Sequence, residues 1–161
     1  MITVYHGSTF WVDTPLVGVG RDDLDFGKGF YVTDLKEQAV RWARRLSANR
    51  RIEAVLNIYG FDIDKAKAEY KYHQFSHYDK QWLRFIAGNR RGQELWREYD
   101  LIEGGVANDR IATTLELFMN NYISEDEALG RLSTQIPNNQ ICITNQSIIE
   151  SCLFFKDAIK L

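Results

Sequence analysis

Apolar and polar positions change period several times along the chain, and the changes mark out alternating strands and helices. Residues 2–6, Ile2-Thr3-Val4-Tyr5-His6, alternate at the period of two that suits a half-buried strand. A turn-rich loop with Pro15, Gly18, Gly20 and several aspartates follows, and residues 29–33 form a second strand. Asp34 starts a helix, with Glu37 as its capping-box partner and Ala39, Val40, Ala43 and Leu46 on the inner side. Ile52, Ala54, Leu56 and Ile58 alternate as a third strand. A short polar helix over 64–71 precedes a helix over 77–90 with Trp82, Phe85 and Ile86 as its apolar stripe. A strand over 99–103 runs into Gly104-Gly105, and Asn108 or Asp109 caps a helix bearing Ile111, Leu115, Phe118 and Tyr122. Ser124 and Glu127 form another capping box, for a helix reaching Leu132. A strand over 140–144, a helical turn capped by Asn145 and a strand over 152–160 close the chain. The pattern predicts an α+β fold without repeats, and no proline- or serine-rich linker divides residues 1–161 into more than one domain.

Composition narrows this picture modestly. A chain of 161 residues with 45% hydrophobic and 13% aromatic residues can bury a sizeable core. A net charge of −2 gives no whole-chain attraction to nucleic acid or to a membrane. Arginines do crowd two stretches, Arg41, Arg44, Arg45, Arg50 and Arg51 in one and Arg84, Arg90, Arg91 and Arg97 in the other. Such runs are more often a solvated helix face than a phosphate site. Cys142 and Cys152 lie in apolar surroundings without metal spacing, which predicts buried free thiols in a reducing compartment. The first residues lack the charged start and long apolar stretch of a signal peptide, and no apolar run reaches about 18 residues. The expectation is a cytoplasmic protein with no membrane partner.

Searches for common chemical motifs mostly fail. Gly18-Val19-Gly20-Arg21 begins like a dinucleotide fingerprint, but Asp23 stands where the third glycine belongs. His73 and His77 have the spacing of two ligands on one helix face, with no clear third ligand beyond Asp79, so no metal is assigned. No Gly-x-Ser-x-Gly elbow occurs. What remains is Tyr5-His6-Gly7-Ser8 and, about two dozen residues on, Asp25-Phe26-Gly27-Lys28-Gly29-Phe30-Tyr31. Adjacent strands would set His6 and Tyr31 side by side along one slot, suited to a flat ring attached to a sugar. Gly7, Gly27 and Gly29 would leave backbone bare for the ligand, and Tyr5 and Phe30 would point the other way.

At these residues the chain resembles the ADP-ribosyltransferase superfamily, in the branch that includes the poly(ADP-ribose) polymerases. That branch carries a His-Gly-Ser or His-Gly-Thr on its first core strand and a Gly-Lys-Gly-x-Tyr on the second, here His6-Gly7-Ser8 and Gly27-Lys28-Gly29-Phe30-Tyr31. Its third position, often glutamate, starts a late strand and corresponds to Gln140 in Asn139-Gln140-Ile141-Cys142-Ile143. Trp82-Leu83-Arg84-Phe85, Asn89-Arg90, Tyr99-Asp100 and Val106-Ala107-Asn108-Asp109 extend the likeness to a small bacterial group with this core. The resemblance implies a split β core of two small packed sheets with peripheral helices, and NAD as substrate. It implies that His6 bonds the adenosine ribose, that Gly7 and Ser8 engage the nicotinamide amide and that Tyr31 stacks on its ring. Gln140 would bond the ribose beside the breaking bond, keeping the hydrogen bond but not the charge of a glutamate. Asp109 could return an acid to the site, Arg21 could meet the NAD phosphates, Gln38 could reach the nicotinamide amide, and Gly29 would line the pocket. Trp42 is expected in the core. The implied activity is single ADP-ribose transfer to a macromolecule, protein or nucleic acid, as the toxin of a bacterial toxin–antitoxin pair with a small antitoxin protein as partner. A catalytically inactive nucleotide-binding module and an NAD glycohydrolase stay open beside it.

Overall fold

In the computed structural model, which describes residues 1–21 and 24–161, the strands sort into two small sheets. The first has the order β1 (Ile2–Ser8), β3 (Val55–Phe61), β7 (Leu153–Lys160), antiparallel throughout. Central β3 is buried along nearly all its length, which is why its residues are apolar on both faces and why its predicted alternation is incomplete. The second has the order β2 (Phe30–Val32), β6 (Gln140–Ile143), β5 (Leu101–Gly104), β4 (Tyr72–Gln74), with only the β4–β5 pair parallel. The sheets meet where β1 passes β2. Tyr5 and Thr33 exchange backbone hydrogen bonds of 2.8 and 3.0 Å there as an isolated bridge.

Among the described residues six α-helices surround the sheets: α1 (Lys36–Arg50), α2 (Ile63–Glu69), α3 (Lys80–Arg90), α4 (Asp109–Met119), α5 (Glu125–Leu132) and α6 (Gln146–Cys152). Among the described residues no helix is long and apolar enough to cross a membrane. Among the described residues five starts carry side-chain caps: Asp62 on α2, Asp79 on α3, and, as expected from the sequence, Asn108 on α4, Ser124 on α5 and Asn145 on α6. The expected Asp34–Glu37 capping box of α1 does not form; Leu35 takes the cap position without a side-chain bond. Asp34 is occupied elsewhere, as the acceptor of a 3.2 Å bond from Asn139.

Apolar side chains fill both sides of the second sheet. Val4, Phe30, Val32, Tyr59, Phe61, Leu101, Ile141 and Ile143 form the layer between the two sheets. Phe26, Trp82, Ile86, Trp96, Ile102, Leu115 and Cys142 form the layer under α3, α4 and α5. Both cysteines are free and buried, as the sequence indicates. Trp42 departs from expectation: it is 49% exposed on the outer side of α1, because Ala39, Val40 and Ala43 are the residues that face the sheet. His73 and His77 do not share a helix. His73 lies on β4, stacked on Tyr99 at 4.7 Å, and His77 lies in the turn before α3.

Candidate functional site

His6 stands near the end of β1, beside β2. Its Nδ1 is 2.7 Å from the Tyr31 carbonyl oxygen. A carbonyl only accepts, so Nδ1 carries the proton and the neutral ring presents Nε2 as an acceptor. The imidazole lies against Phe30, with ring centroids 4.5 Å apart. Burial lowers its pKa, an effect the carbonyl bond partly offsets, so the ring is neutral at pH 7.

Tyr31 is brought to His6 by its backbone, not by its ring. Successive strand residues face opposite sides, so with Phe30 turned to His6 the Tyr31 ring packs against the Phe26 and Cys142 layer. Its hydroxyl donates to the Gly27 carbonyl at 2.5 Å and accepts from the Phe26 amide at 3.2 Å. Burial, followed by the neighbouring Cys142 thiol, pushes the Tyr31 pKa well above its ordinary value, and burial pushes that of Cys142 up to about 12. The expected slot with both rings side by side is therefore not formed. The expected bare glycines are also covered by protein. A Cβ on Gly7 would sit within contact of the Ala39 carbonyl in α1, one on Gly29 would meet Cys142 Sγ at 2.6 Å, and Gly27, at φ +84°, accommodates the Trp96 indole. These glycines let helix, strand and loop approach closely.

The polar groups of this region converge instead on Asn139, just before β6. Its carbonyl oxygen accepts from Gln38 Nε2 at 2.9 Å and from Thr33 Oγ1 at 2.6 Å, joining α1 and the end of β2 to one atom. Its side-chain Nδ2 donates to Glu103 Oε1 at 3.0 Å as well as to Asp34. Gln140 follows at the start of β6, opposite Gly104. Alternation puts its side chain on the same face as Cys142 and Tyr31. Among the described residues three buried side-chain atoms have no partner: Trp96 Nε1 and, at this junction, the acceptor Gln38 Oε1 and the donor Gln140 Nε2. Gln38, Trp42 and Arg45 lie at helical spacing on one side of α1, so an exposed indole stands one turn from the unpaired acceptor.

The other expected site residues are more dispersed. Ser8 is buried and accepts from the Phe10 amide at 3.4 Å. The loop beyond it is pinned by buried Asn57, which accepts from Val12 N at 2.8 Å and donates to the Phe10 carbonyl at 3.2 Å. Arg21 lines an open cleft of about 310 Å³ with Leu24, Asp25 and Arg90, and the Arg90–Asp25 ion pair within it is 2.6 Å long. The Gly18–Asp23 motif reaches beyond the described residues at its last two positions. Asp109 does not return an acid to Gln140: its side chain is 88% exposed and pairs with Arg45 at 3.4 Å. The carboxylates that do touch the junction are Asp34, exposed, and Glu103, buried, and the second has no motif to mark it. A single acid in the apolar run Leu101-Ile102-Glu103-Gly104 was the available signal.

No curated protein and no solved structure matches the chain. The profile of one family does match, over residues 2–155, which takes in the second sheet, β1, β3, the start of β7, α1 to α6 and the Asn139 junction. The chain belongs to that family, described as "Protein of unknown function (DUF3990)".

Proposed function

We propose that this chain is an NAD-dependent mono-ADP-ribosyltransferase that modifies a macromolecule. The observation that carries the reading is the pair of unpartnered buried atoms at the Asn139 junction, an acceptor on Gln38 and a donor on Gln140. A buried polar atom left unpaired costs about 1–3 kcal/mol, and native proteins keep few of them. An acceptor and a donor together complement a primary carboxamide such as that of nicotinamide. Trp42 adds an exposed aromatic face on the Gln38 side of α1. In the reaction the bond between nicotinamide nitrogen and ribose carbon breaks, with its electron pair leaving on nicotinamide. The sugar passes through an oxocarbenium-like state, and the acceptor's nucleophile forms the new bond as it loses its proton. Gln140 would hold the ribose or the amide without supplying charge.

NAD titration combined with nicotinamide release, and mass spectrometry of lysate incubated with labelled NAD, tests the reading. Nicotinamide release with label on a macromolecule is the expected result; absence of NAD binding would remove it. Gln38→Met and Gln140→Leu sharpen the test. Each is expected to keep or raise stability, by up to about 1 kcal/mol, while NAD affinity falls about tenfold. Two ordinary structural glutamines would show lost stability and unchanged binding.

One observation favours a second reading, a binding module without turnover. Gln140 carries no negative charge, and the Asp109 carboxylate is turned to Arg45 at the surface. NAD binding with no nicotinamide release would select it. Release without any labelled acceptor would instead select NAD hydrolysis.

A further inference from the structure

Among the described residues Glu103 is the acid whose side chain is buried. It is 7% exposed, and it sits in a strand whose neighbours Leu101 and Ile102 are fully buried. Its carboxylate receives three donors: Tyr72 Oη at 2.6 Å, Lys67 Nζ at 3.0 Å and Asn139 Nδ2 at 3.0 Å. Lys67 also lies over the Tyr72 ring, 4.6 Å from its centroid, so α2 and β4 jointly hold the acid in one orientation. Burial opposes its ionisation, but the bonds from Tyr72, Asn139 and Lys67 outweigh that and keep its pKa below the ordinary carboxylate value.

The third donor gives this arrangement a reach beyond its own strand. Asn139 lies in the irregular segment before β6, outside the strand ladder. Its side chain is tied to Glu103 and Asp34, and its carbonyl is what holds Gln38 Nε2 and Thr33 Oγ1. Turning the Asn139 unit would swing that carbonyl away from Gln38 and move the unpaired Oε1.

We propose that Glu103 is a positioning residue: through Asn139 it sets the direction in which Gln38 presents its free acceptor, and so tunes recognition of a carboxamide at that junction. The carboxamide half of this statement rests on the function proposed above; the relay from Glu103 to Gln38 does not. A merely structural Glu103 would affect all ligands and signals alike, whereas a positioning residue acts on Gln38 selectively.

The test follows the Gln38 side-chain amide by 15N NMR, its signal assigned by its loss in Gln38→Met, and titrates nicotinamide and ADP-ribose separately. In folded Glu103→Gln the Gln38 signal is expected to shift, and nicotinamide affinity to fall about fivefold, the equivalent of one hydrogen bond, with ADP-ribose affinity unchanged. Surface Glu127→Gln, which loses only a pair with Arg131, is expected to change neither. Should Glu103→Gln fail to fold, Tyr72→Phe removes one of the three donors and carries the same readouts. An unmoved Gln38 signal overturns the proposal, as does a parallel loss of both ligands. A shifted signal in a protein that binds neither ligand upholds the relay and removes the NAD reading.

Discussion

Phe30 and Tyr31 are neighbours in a three-residue strand, and the two sides of the sheet they face are built differently. On the Phe30 side, Val4, Val32, Tyr59, Ile141 and Ile143 close an apolar layer with His6 at one margin and, opposite Ile141, the Glu103 carboxylate paired with Tyr72, Lys67 and Asn139 at another. On the Tyr31 side, the tyrosine hydroxyl is tied to Gly27 and Phe26, and Gln140 Nε2 is buried without a partner. The contrast separates a side whose marginal acid is fully paired from a side that keeps a polar atom in reserve. Stability is expected to depend on the first, and ligand choice on the second.

Substitutions in adjacent positions test that division directly. Phe30→Ala removes a ring that touches both His6 and Tyr59, and is expected to cost about 4 kcal/mol in denaturant unfolding. Tyr31→Phe keeps the ring but strands the Phe26 amide and the Gly27 carbonyl, for a loss of about 1–2 kcal/mol. Equal costs for the two would break the comparison. The smallest effect belongs to His6, whose pKa is lowered by burial from its ordinary 6.5. The unfolded chain then binds the proton more readily than the folded one. This contribution to stability is complete above pH 6.5 and declines as the pH falls through the interval between 6.5 and the lowered folded value. In His6→Gln that part of the pH dependence is expected to vanish from thermal unfolding curves; its persistence would assign it to another group.

Most of the secondary structure was legible from the residues because local chemistry decided it. Asn108, Ser124 and Asn145 each accept a backbone N–H at the helix start they announce. Asp34 misled because a long-range bond from Asn139 outcompeted the local cap. The strand Tyr72–Gln74 went unseen, since three polar and aromatic residues at a sheet edge carry no period; its pairing with β5 is a tertiary fact. At the site, the sequence brought His6 and Tyr31 to adjoining strands but misjudged which neighbour faces the histidine. The Tyr5–Thr33 pairing sets that register, and it cannot be read before the strands are paired. Gln140 was nominated as the third position of the signature that the chain resembles and Gln38 by its place in the helix after Tyr31, whereas Glu103 was hidden by its own burial in an apolar strand.

The isolated bridge between Tyr5 and Thr33 gives the region one further property. Elsewhere, neighbouring strands are laced by whole ladders, yet here two amide contacts and an imidazole fastened to the Tyr31 carbonyl span the seam between the halves. In hydrogen bonds, parting the halves at this spot is far cheaper than peeling any strand from its sheet. A local opening beside Thr33 would therefore break few hydrogen bonds while both ladders stay whole.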